Sequence, residues 1–259
     1  MDVTGLSRAL HVGALAAYAG AFAAALAAGR RERWRAPAAA LAACGLGVQL
    51  ALFLLRWRAS GHTPVTGLFE SQHFLAIFVV AHALSLLARH RAWGLFAAAL
   101  ALALAALGGA TFGPAAVKPL TPALDTPLFF LHVAASFAAY GLFGSAALVA
   151  LLRLLPGGAV APARAILDES LYLGWILFTW AMIAGSVWAY LAWGSYWTWN
   201  TKGIWSYLLW FFYAGVIHVR TRPAWQGRRL DLLALAGFAA VLFTYLGLGL
   251  LLKTNHPLL

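Results

Sequence analysis

Acidic side chains are scarce in this chain, with seven Asp and Glu against 18 Lys and Arg in 259 residues. Charged residues of both signs make up 10% of the sequence, where a soluble domain carries about 25%. Beside 63% hydrophobic residues, so few charges exclude an ordinary water-facing surface, and the solvent is lipid. Cysteine is nearly missing as well: Cys44, alone inside an apolar run, excludes an internal disulfide. No Cys-x-x-Cys-His occurs, which excludes covalent haem attachment to this chain itself. Met1–Arg8 lacks the basic start and small-residue cleavage site of a signal peptide, so the first apolar stretch is expected to stay as a helix. A net charge of +11 would suggest nucleic acid in a soluble protein. In a membrane protein, basic residues mark the cytoplasmic loops instead, and no nucleic-acid partner is expected.

A helix crosses the hydrocarbon core with about 20 apolar residues. Eight stretches qualify, at roughly 8–29, 37–55, 71–88, 92–109, 128–152, 170–190, 206–219 and 231–252. The seventh is short, and aromatic residues at one end extend it. The expected fold class is therefore all-α: a polytopic membrane bundle of about eight transmembrane helices, one integral membrane domain over 1–259. It is expected to be multi-pass in the cell (plasma or inner) membrane, with lipid around it. Connections after helices one, three, five and seven carry 12 basic residues, from Arg30 to Arg229. The opposite connections and the termini carry six: Arg8, Arg56, Arg58, Lys118, Lys202 and Lys253. This asymmetry puts the first set in the cytoplasm and both termini on the outer face. Helices one, two and four are rich in Ala and Leu and read as scaffold.

Six of the twelve tryptophans, Trp188, Trp193, Trp197, Trp199, Trp205 and Trp210, fall between positions 188 and 210. An aromatic belt would spread such residues over many helix ends. Their concentration around one outer connection, at about 188–206, also suits a flat apolar platform that stacks on a planar ligand. Composition leaves both readings open. The histidines add chemistry. His11, His62, His132 and His256 fall at or near the outer face, and His73 opens the third helix from the same side. His132 sits some four residues into the fifth helix, roughly 6 Å below its end at about 1.5 Å per residue. An imidazole in the membrane is costly and points to function, and neutral His is a common axial ligand of haem iron. His11, His62 and His90 read as hydrogen-bonded interfacial residues, whereas His132, beside the tryptophans, reads as a ligand. His82 and His218 lie inside spans.

The run Trp193-Gly194-Ser195-Tyr196-Trp197-Thr198-Trp199-Asn200-Thr201-Lys202-Gly203-Ile204-Trp205 continues to His218-Val219-Arg220. It resembles the WWD signature, WGxxWxWDPKExW with a following LHxR, of the CcsA/ResC, CcmC and HemX family of haem-handling proteins in cytochrome c assembly. Leu68-Phe69-Glu70-Ser71, and Pro119-Leu120-Thr121-Pro122 ahead of Leu131-His132-Val133, resemble further elements of that family. The resemblance thus runs from about residue 60 onward. It implies haem transport and the binding of haem b at the outer face, with contacts from Trp193, Trp197, Trp199, Lys202 and Trp205. It further implies iron held by His132 and His256, with His218 as the histidine inside the membrane and Lys202 as partner of a propionate. Three motif positions depart: Asn200, Thr201 and Gly203 stand where the family has Asp, Pro and Glu. The flanks of His256 differ as well from the family's Gly-Leu-His-Ser-Tyr.

The resemblance implies delivery of haem to apocytochrome c, in a cytochrome c synthase (haem lyase) complex with a CcsB-like membrane partner. The alternative, favoured by the missing acids, is a HemX-like regulatory or scaffold protein that binds haem weakly or not at all. A b-type electron carrier would need histidine pairs at matched depths, which His82 and His218 do not offer.

Overall fold

The structure, a computed structural model, describes residues 3–156 and 162–248; His256 lies outside them. The described residues form eight long helices and no strand. These are α1 (Val3–Ala28), α2 (Arg35–Ser60), α3 (Leu68–His90), α4 (Trp93–Ala110), α5 (Pro127–Leu154), α6 (Ala163–Trp193), α7 (Thr201–Val219) and α8 (Arg228–Leu242). The last runs into a π-helical turn over Phe243–Gly247. Among the described residues, seven helical segments are long and apolar enough to cross a membrane. The exception is α7, where Trp and Tyr side chains and the polar first turn dilute the aliphatic content. The chain is a polytopic helical membrane protein, as its apolar runs predict.

Several helices run past the apolar stretches that mark them. α6 begins at Ala163 rather than near 170, because Arg164 and Asp168 pair one turn apart at 2.6 Å and carry the helix beyond the hydrocarbon. α5 starts sharply: the Thr126 side chain accepts the Phe129 N–H at 3.2 Å, and Pro127 occupies the first helical position.

Backbone contacts divide the chain into two units, Met1–Asp125 and Thr126–Leu259. In the first, α1 packs on α2 and α4, and α3 packs on α2 and α4, closing a four-helix ring. Ala14, Ala21, Ala38 and Ala42 are buried between α1 and its neighbours. Small residues let helices approach closely where no hydrophobic effect drives them together. At Gly45 a Cβ would come within 2.5 Å of the Tyr18 ring, so α2 closes on α1 only with glycine there. In the second unit α5 packs on α6 and α8, and α7 bridges α6 and α8. Its core is aromatic, with Phe143 and Tyr213 stacked at 3.5 Å between ring centroids.

Candidate functional site

The tryptophan-rich stretch is mostly helix end. Trp188 and Trp193 ride on the last turns of α6, and Trp205 and Trp210 on α7, so only residues 194–200 form the connection itself. Gly194 ends α6 in the left-handed region at φ 75°, a conformation that costs glycine nothing. Asn200 then caps α7. Its Oδ1 accepts the Gly203 N–H at 2.7 Å, and its Nδ2 donates to Thr198 Oγ1 at 2.6 Å. Asn and Asp cap helices about equally well, so the replacement of the family's Asp keeps the local fold and removes only the charge.

His132 is the sixth residue of α5. Its Nδ1–H donates to the carbonyl of Ala181 on α6 at 2.7 Å, which fixes the tautomer and leaves the Nε2 lone pair unprotonated. The Ser136 hydroxyl donates to the His132 carbonyl at 2.8 Å. The imidazole lies nearly parallel to the Trp188 indole, 12° apart at 6.4 Å between centroids, and Trp193 meets Trp188 edge-on at 4.7 Å. Gly185 makes room for this ring, since a Cβ there would stand 2.5 Å from Nδ1.

These residues face a cavity of about 170 Å³. It is lined by His132, Trp188, Trp193, Trp197 and Lys202 toward one end and by Tyr140, Phe178 and Tyr245 toward the other. Among the described residues no carboxylate lines it, and Lys202 is the one lining side chain with a full positive charge. Partial burial pushes the Lys202 ammonium down to about 8, because desolvation penalises the charged form. A flat apolar ligand carrying carboxylates suits this chemistry. Pockets that enclose a ligand of drug size measure about 300–1,000 Å³, so this cavity is too small to enclose one whole.

The candidate residues fall into three groups. His132, Trp193, Trp197 and Lys202 come together around the cavity. Trp199 and Trp205 do not line it: Trp199 is 83% exposed, and Trp205 packs edge-on against Phe243 at 4.7 Å. His218 is exposed near the far end of α7, where its Nε2 accepts from Arg222 at 3.2 Å. It stands 16 residues beyond Lys202 on that helix, roughly 24 Å at about 1.5 Å per residue. A planar ligand at His132 is therefore out of its reach. His256, the other expected iron ligand, lies outside the described residues.

A sequence model of the Cytochrome C assembly protein family matches residues 65–256. The chain belongs to the cytochrome c assembly protein family. It is 30% identical to "Cytochrome c biogenesis protein CcsA" of Gloeobacter violaceus, over 79% of this chain and 81% of the relative. Proteins of the same name from Synechococcus sp. (strain CC9311) and Synechococcus elongatus are 32% and 30% identical, over 78% and 80% of this chain and 81% and 82% of theirs. Among solved structures, "Cytochrome c Heme Lyase CcmF" superposes with a TM-score of 0.71 at 22% identity. That likeness is one of fold. It covers 100% of this chain but 52% of the other, so this chain spans about half of that structure. Family membership makes the protein a CcsA-like membrane protein of cytochrome c maturation. Motif reading finds His132, Lys202 and the tryptophans. It misses Ala181, Gly185 and Tyr245, whose part in the site depends on which faces of α5, α6 and the turn after α8 meet.

Proposed function

We propose that the chain binds haem b in the α5–α6–α7 cavity and presents it for attachment to apocytochrome c. The observation that carries this is the state of His132. Its Nδ1 is held by a backbone carbonyl, its Nε2 is left basic, and its ring is set among indoles beside a cavity that no described carboxylate lines. That second partner is what metal-bound imidazoles nearly always have, and it raises their basicity. Bound haem supplies the iron to be ligated and the vinyl groups that take up substrate thiols.

The chain's own residues do the positioning. His132 Nε2 is the iron ligand, and the indoles of Trp193 and Trp197 supply flat contact area. Lys202, near the first turn of α7, pairs with a propionate. Without an Asp at 200 or a Glu at 203 it meets no competing acid among the cavity's lining residues. His256 would be a second ligand to the iron, and His218 is assigned to a separate encounter with haem at the other end of α7. A CcsB-like membrane partner completes the synthase, and the cell membrane is the site of action. Deleting the gene and staining for covalently bound haem tests this. The proposal expects loss of c-type cytochromes, restored by the wild-type gene and not by His132→Ala. Normal c-type cytochromes with disturbed haem synthesis would instead support the HemX-like regulatory reading.

A further inference from the structure

The first unit carries a buried polar chain outside the haem-facing residues. Tyr18 on α1 donates to Gln49 Oε1 on α2 at 2.5 Å, which turns the amide Nε2 toward His73 Nδ1 at 3.1 Å. An Nδ1 that accepts leaves the His73 proton on Nε2, 2.9 Å from His11 Nδ1. His11 in turn carries its proton on Nε2 and donates it to Thr111 Oγ1 at 3.2 Å, and Thr111 donates to the Leu107 carbonyl at 3.3 Å. Every donor points the same way, and both imidazoles are neutral. Tyr18, Gln49, His73 and His11 are at most 5% exposed. Such groups are expensive in a membrane and mark function unless a packing role accounts for them.

Beside the chain lies an ion pair, Arg56 with Glu70, in which Arg56 also donates to the Ala115 carbonyl at 2.6 Å and to Ser7 Oγ at 3.3 Å. A cavity of about 10 Å³, lined by Gln49, Arg56, Glu70 and His73 among others, has room for about one water. Glu70 stands in the first turn of α3, at the end that the charge pattern assigns to the outside.

We propose that His11 and His73 form one proton-binding site, loaded from the outer face through the water-sized cavity beside Glu70. The accepting atom is His73 Nδ1. Gln49 Nε2 already has a second acceptor in the His73 carbonyl at 3.3 Å, so it releases Nδ1 without losing its last bond. The new N–H lies where Gln49 Nε2 now donates, so that amide swings aside, while His73 Nε2–H keeps donating to His11 Nδ1, now as a charge-assisted hydrogen bond. The pair passes from zero to one positive charge and takes one proton from water. The groups facing it are Ser7 and Tyr18 from α1, Gln49 and Arg56 from α2, Glu70 from α3, and Thr111 after α4. Arg56 and Glu70 are the charged ones and neutralise each other. The site rests on the first unit alone and does not depend on haem binding in the second.

The test is ¹⁵N-histidine NMR of the full chain in lipid nanodiscs, titrated with acid, with His11→Asn and His73→Gln for assignment. At neutral pH both rings are expected to be protonated at Nε2 and bare at Nδ1. On acidification the two rings should change together in one step while circular dichroism holds constant. Glu70→Gln should move that step down by about one pH unit or more, tenfold in proton affinity. If the wild-type rings stay neutral until the helices melt, or if they titrate independently of each other, the pair is a packing staple and the proposal is overturned.

Discussion

Substituting Gly185 by alanine strikes His132 without touching it chemically. The added Cβ would stand 2.5 Å from Nδ1 and 2.8 Å from Cε1, where ordinary contact begins at 3.4 Å. The imidazole must therefore retreat by about 1 Å, which stretches its 2.7 Å bond to the Ala181 carbonyl to about 3.7 Å, beyond hydrogen-bond range. Loss of that buried bond costs about 1–3 kcal/mol, and overpacking between helices adds about 1–3 kcal/mol. A freed Nδ1–H also loosens the tautomer, and loss of such a partner typically costs about 10–100-fold in affinity for the metal. The assay is a haem titration of purified Gly185→Ala against wild type, followed in the Soret region, with a thermal melt of each. Gly215→Ala on α7, where a Cβ meets nothing within 4 Å, is the control and should match wild type in both. Wild-type haem affinity and spectrum in a folded Gly185→Ala protein would refute the placement of His132 by α6.

Three further outcomes follow from the same structure. Asn200→Ala removes the α7 cap and should cost about 0.5–2 kcal/mol of stability, whereas Asn200→Asp, an equally good cap, should keep the melting temperature. Haem affinity should be level below about pH 8 and fall above it, because Lys202 must be charged to hold a propionate and its proton leaves near about 8; in Lys202→Met the curve should be flat across that window. Arg56→Met strands the Glu70 carboxylate in a mostly buried position, and a thermal melt should register a loss of about 3–5 kcal/mol.

How far the sequence foretold this molecule depends on the kind of signal. The helices are read from their apolar runs because lipid demands internally bonded backbone, and only their ends slip, as at Ala163, where an Arg164–Asp168 pair extends the helix. The tryptophan cluster and His132 stand out by composition alone. The capping role of Asn200 does not, since it depends on where α7 begins. The unit of α1 to α4 hid more. His11 reads as a hydrogen-bonded interfacial residue, and it is hydrogen-bonded, but its partner His73 is 62 positions away. α1 and α2 look like Ala/Leu scaffold, and their single Tyr18 and Gln49 gain meaning only when the ring closes and brings them to His73. The contacts across helices are set by rotation of each helix about its axis, and Ala-rich helices carry little pattern to declare it.

The central claim is that His132 ligates haem in the cavity of the second unit. Its most direct test is the absorption spectrum, oxidised and reduced, of the full chain purified from haem-replete cells beside His132→Ala. The account predicts a Soret band with the sharp reduced bands of bis-histidine haem in the wild type, lost or shifted in His132→Ala at equal helix content. A folded wild-type protein without a Soret band, or an identical band in the variant, would contradict it.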